Sequence, residues 1–230
     1  MTLVEPADPR AEHRWPAVVA LLAALSLYAA LPSSFLPGLR WVVVAVGLAM
    51  LVPLVILNPH HLRRETAWSK YLSAGQAVLL VVANEVALVH LIVVLVTDTD
   101  QSGPVLLVAA LQVWVTNVIG FALVYWELDR GGPVARRHSP RAVLPSADFR
   151  FPQDEDDDAV EEVARRSSPR SGWVAAFGDY LYFSLTNSMA FSPTDTMPLS
   201  LRAKALMAVE ALSGFVLLAV VIARAVSLLG

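Results

Sequence analysis

Residues 180–224 read YLYFSLTNSMAFSPTDTMPLSLRAKALMAVEALSGFVLLAVVIAR. The stretch opens as an apolar helix flecked with Ser184, Thr186, Asn187 and Ser188, breaks at a Ser/Pro/Thr/Asp elbow, and resumes as a long apolar helix. About twenty apolar residues rising 1.5 Å each cross the ~30 Å hydrocarbon layer of a bilayer. The second half of the stretch meets that length, so a helical hairpin at membrane depth is predicted.

Working outward, the whole chain has the same character. Of 230 residues, 56% are hydrophobic and only 16% charged, and mean hydropathy is +0.57. Apolar segments fall at 15–31, 39–57, 72–97, 104–126, 173–191 and 203–229. They are continuous, unlike the short alternating segments of a membrane barrel. The fold class predicted is therefore all-α, a polytopic transmembrane helical bundle of about six membrane helices with the lipid bilayer as its surroundings. Three regions follow: a four-helix part at 1–126, a charged and largely disordered loop at 127–172, and the hairpin at 173–230. Trp15, Trp41, Trp68, Trp126 and Trp173 lie at segment ends, where amphipathic rings favour the headgroup layer. Tyr28 stands where a signal peptidase wants a small residue, so the first segment is read as retained.

The net charge of −3 and pI near 5.9 give no nucleic-acid footprint. Without cysteine, thiolate metal sites, disulfides and thiol catalysis are excluded. His13, His60, His61 and His138 fall in loops without metal-ligand spacing, and no nucleophile–base–acid set emerges. Neither enzyme activity nor a cofactor or metal is expected. Arg10, Arg14, Arg63, Arg64, Lys70 and the eight arginines of the long loop fall on one face, against Arg40, Arg202 and Lys204 on the other. By the positive-inside rule both termini and the long loop are expected in the cytoplasm.

Ionisable and amide groups at membrane depth are functional candidates, because they are costly there. Glu85 is deepest, next to Asn84; its predicted partner is Asn117 or Gln112, with proton or cation handling as the sharper reading. Asp179 and Arg224 have matching depths in six full spans and are predicted to pair. Asn187 and Glu210 complete the intramembrane polar set, and Ser213–Gly214 reads as a close helix crossing.

Tyr182, Phe183 and Ser184, then Asp195, Pro198 and Glu210–Ala211, follow one another without a gap in a pattern that resembles the pore module of bacterial potassium channels. The filter positions hold Ala190, Phe191, Ser192, Pro193 and Thr194, followed by Asp195. A carbonyl-lined filter needs glycine geometry that Pro193, with fixed φ and no N–H, resists. Potassium selectivity is not expected. More widely, YWELDRGGP, FRFPQD, DYLYFSLTN and FSPTDTMPLS resemble a family of bacterial integral membrane proteins of unknown function with a channel-like hairpin and no filter. The resemblance implies a multi-pass homo-oligomer of the bacterial inner membrane. It leaves two paths for 179–190, a full span, which the charge distribution favours, or a re-entrant helix. Two functions stay open: a degenerate channel-related transport or conductance protein, and a non-transporting protein whose loop binds a cytoplasmic partner.

Overall fold

The computed structural model describes residues 11–32, 37–62, 65–97, 103–189 and 195–227. Four long helices carry the architecture: α2 (Pro37–Leu57), α3 (Ala67–Thr97), α4 (Gly103–Leu128) and α9 (Leu201–Ser227), with the shorter α1 (Trp15–Ala29) beside them. Among the described residues these four are long and apolar enough to cross a membrane. The chain is an all-α membrane bundle. Val82, Val86, Val89 and Val93 of α3 and Leu212, Phe215, Leu218 and Ile222 of α9 remain exposed, as lipid-facing positions would.

Helix α4 is the axis of the molecule. Every residue from Thr116 to Trp126 is buried, because α1, α3, α9 and the short α8 (Phe177–Met189) pack around it. Arg130 takes a left-handed φ of 51° after α4, and Gly131 and Gly132 follow at 83° and 103°. Glycine tolerates that geometry, so the RGGP tract turns the chain sharply into α5 (Pro133–His138).

The long loop is folded, which corrects the expectation of a disordered segment. Phe149 and Phe151 insert among Tyr125, Tyr180 and Phe183; the Phe149 ring lies 5.1 Å from Tyr125 and 5.1 Å from Phe183. Asp129, fully buried, accepts the Asp148 N–H at 2.8 Å and the Tyr180 hydroxyl at 2.6 Å. Arg130 reaches Asp154 at 2.7 Å, and Arg170 reaches Glu161 at 3.0 Å. The acidic run is thus answered by the loop's own arginines and forms single turns. The three sequence regions consequently share one core. Trp126, expected in the headgroup layer, is buried and donates its indole N–H to Glu12 at 3.2 Å.

The segment read as the fifth span forms a short helix among the described residues. Helix α8 has thirteen residues, about 20 Å at 1.5 Å per residue and short of the hydrocarbon thickness. Its N-terminus sits in the loop layer, where the Phe177 N–H donates to Glu12 at 2.7 Å. After it, β2 (Met197–Pro198) pairs antiparallel with β1 (Phe149–Arg150), in the same layer. Phe177 and Met197, on either side of the segment, thus both contact the loop layer. Arg202, assigned by sequence to the opposite face, holds Asp148 of the loop at 2.7 and 2.6 Å. Helix α9 therefore starts at the loop face and runs away from it over 27 residues.

Candidate functional site

The polar side chains of α3, α4, α8 and α9 converge behind the folded loop. Glu210 is fully buried on α9. Its Oε2 accepts the Tyr125 hydroxyl of α4 at 2.6 Å and the Asn187 amide of α8 at 2.6 Å. Its Oε1 meets the Ser184 hydroxyl, which also lies 2.8 Å from the backbone carbonyl oxygen of Val118. Asn187 donates in addition to the Met207 carbonyl at 3.1 Å. One turn along α9, the Ser213 hydroxyl reaches both oxygens of Glu85, at 3.1 and 2.9 Å. Two carboxyl groups thus meet neighbouring turns of α9, the sealed Glu210 from α9 itself and the half-buried Glu85 from α3.

Local sequence explains the arrangement. Glu210 and Ser213 are three apart on α9 and face one side, while Ser184 and Asn187 do the same on α8. The two faces approach because position 214 is glycine: a Cβ there would stand 2.7 Å from the Ser188 carbonyl oxygen. The close crossing read at Ser213–Gly214 is present. The contact also fixes the depth of the α8 C-terminus, thirteen residues into α9, or about 20 Å from its start. Carbonyl ends of a half-helix at that depth favour positive charge.

Other expectations fare differently. Asn84 donates to Asn117 at 3.1 Å, so the amides pair with each other, and Glu85 finds Ser213 in place of Asn117 or Gln112. Asp179 caps α8 by accepting the Ala176 N–H at 2.8 Å. Arg224 lies near the far end of α9, about 34 Å along it from Leu201. The predicted Asp179–Arg224 pair fails because α8 and α9 both begin at the loop face, so their equal counts from a segment end do not mean equal depths. Ala190, Phe191, Ser192, Pro193 and Thr194 lie outside the described residues, and Asp195 is exposed in the loop layer.

Sequence reasoning missed Tyr125 and Ser184 as site residues. Their tracts, YWELD and YLYFSLTN, were already distinctive, and in YWELD four side chains take separate buried or part-buried partners. Tyr125 serves Glu210, Trp126 serves Glu12, Glu127 accepts from Ser73, and Asp129 accepts from Tyr180. Beside Glu127, a cleft of about 60 Å³ opens among α1, α2, α3 and α4, where Arg14, Lys70 and Gln76 supply polar lining, roomy enough for a few waters. Burial holds the Glu12 carboxyl above its ordinary pKa of 4.5, against the Phe177 N–H and Arg136, which favour the charged form. Among the described residues no group of three or more His, Asp or Glu side chains could hold a metal ion. Compared with protein-family models, with curated proteins and with solved structures, the chain matches none of them.

Proposed function

We propose that the chain is a channel-derived membrane transport or conductance protein without potassium selectivity, working through the polar set around Glu210 and Glu85. The observation that carries this reading is the half-helix α8, which ends at membrane depth against Gly214 with Asn187 and Ser184 on Glu210. Broken helices and ionisable groups at that depth mark ion and substrate pathways. The resemblance of the hairpin to a channel pore module supports it further, as does a departure from the glycine filter that removes the potassium site alone. The loop face carries Arg14, Lys70, the loop arginines, Arg202 and Lys204, so the positive-inside rule assigns it to the cytoplasm of a bacterial inner membrane. The active form is a homo-oligomer. Ion flux into vesicles containing the purified protein tests this: Glu210→Gln abolishes flux, and flux unchanged by both Glu210→Gln and Glu85→Gln contradicts it.

A second reading rests on Val160 and Val163, which are exposed among Asp157, Glu161 and Glu162 on the loop surface. An exposed apolar pair with a charged rim, whose acids pair with Arg165 and Arg170, fits a cytoplasmic protein partner and a non-transporting role. Co-purification lost on Val160→Ser with Val163→Ser favours that role; unchanged co-purification removes it.

A further inference from the structure

Ser184 has one hydroxyl hydrogen and two oxygen neighbours. Its Oγ stands 2.8 Å from the carbonyl oxygen of Val118, which can only accept, and touches Oε1 of Glu210. With a deprotonated Glu210, one of these two buried contacts holds no hydrogen. With a proton on Oε1 every contact is filled: Glu210 donates to Ser184, Ser184 donates to Val118, and Oε2 accepts from Tyr125 and Asn187 at 2.6 Å each. Unpaired buried polar groups are costly, so the hydrogen count selects the protonated carboxyl.

The same contacts speak against a metal ion. Tyr125 and Asn187 aim donor groups at the lone pairs that sodium or potassium would need, and Glu210 has no exposed surface. A proton needs no such shell. Resting on the transport reading above, we propose that the species handled at this site is the proton, carried on Glu210 Oε1 and released by rotation of the Ser184 hydroxyl. On release the sealed site opens to admit a water molecule, the carboxyl O–H bond breaks, its electron pair stays on Oε1, and that water takes the proton. The Ser184 O–H then swings from the Val118 carbonyl to the carboxylate. The titratable groups facing Glu210 are Tyr125 of α4 and Glu85 of α3; α8 contributes only the neutral Ser184 and Asn187. The half-buried Glu85, held by Ser213 one turn away, is the neighbouring charge that release must meet.

Glu210→Gln separates the alternatives, since an amide keeps the donor to Ser184 and the acceptor to Tyr125 and Asn187. The purified full-length protein is compared with this variant by infrared difference spectroscopy at neutral pH and by thermal melting. In parallel, vesicles containing a dye sensitive to pH, sodium or potassium are driven by a gradient of the corresponding ion. The proposal expects a protonated-carboxyl stretch that is absent from Glu210→Gln, an unchanged melting temperature, and proton flux that falls to the level of protein-free vesicles. Ser184→Ala, a second variant, shifts the stretch as the carboxyl loses its acceptor. A missing protonated-carboxyl stretch, or a stretch blind to both substitutions, overturns the proposal. The stretch together with sodium or potassium flux and no proton flux overturns the proton as cargo and leaves the transport reading standing. No flux of any ion overturns both, and the spectrum still reports the state of Glu210.

Discussion

The carbonyl oxygen of Ser188, at the end of α8, faces Gly214 of α9 so closely that a Cβ would stand 2.7 Å from it. The neighbour is backbone, which cannot swing aside as a side chain can. Gly214→Ala must therefore push the two helices apart and loosen the contact that holds Asn187 and Ser184 on Glu210. Overpacking of this kind costs about 1–3 kcal/mol. Thermal melting of the purified variant is expected several degrees lower than wild type.

Asp148 anchors the loop to the start of α9. Its buried carboxylate takes the Arg202 guanidinium at 2.7 and 2.6 Å and the Ser200 hydroxyl at 2.5 Å. Hydrogen bonds to a charged group contribute about 1.5–3 kcal/mol, and the half-exposed Arg202 places this set at the lower end. Asp148→Ala is expected to destabilise by about 2 kcal/mol and to open 139–170 to limited proteolysis. Arg202→Ala, which leaves Asp148 with Ser200, is expected to do less.

Stability should also depend on pH through Glu12, which is pushed above 4.5 chiefly by burial. A raised carboxyl pKa means that the folded state binds more protons than the unfolded state, so stability falls as pH rises from about 4.5 through the raised value. Glu12→Gln keeps an acceptor for the Phe177 N–H and the Trp126 indole while removing the charge. Melting curves at stepped pH are expected to lose part of their decline in this variant.

Asn84 and Asn117 join α3 to α4 through one amide–amide bond of 3.1 Å, with both side chains buried. Such bonds within membranes average about 0.6 kcal/mol in double-mutant cycles. A cycle of Asn84→Ala and Asn117→Ala is expected to give coupling of that order, too small to account for the bundle by itself.

The helices were legible in the sequence because length and hydropathy decide what can cross a bilayer. The fold of 127–172 was not, since Phe149, Phe151 and Asp148 find partners in α4, α8 and α9 that lie 24 to 54 residues away. The same distance hid the face of Arg202: counted by short loops it belonged opposite the arginine-rich loop, and its bond to Asp148 brings it back. Glu210, Asn187 and Glu85 were legible one at a time as costly groups at depth. Their grouping was not, because it depends on α8 stopping beside Gly214. Tyr125 carries no signal of its own in the sequence, and only its 2.6 Å bond makes it part of the site.

The path of α8 decides the rest, and the absence of native cysteine makes it directly measurable. Single cysteines at Ser139, Asp195 and Thr97 can be labelled with a membrane-impermeant maleimide from either side of the membrane. Asp195 is exposed in the loop layer and Thr97 ends α3 on the opposite face. The account predicts that Asp195→Cys is labelled from the same side as Ser139→Cys, and Thr97→Cys from the other. Labelling of Asp195→Cys from the side of Thr97→Cys would mean that the segment crosses whole, and would contradict it.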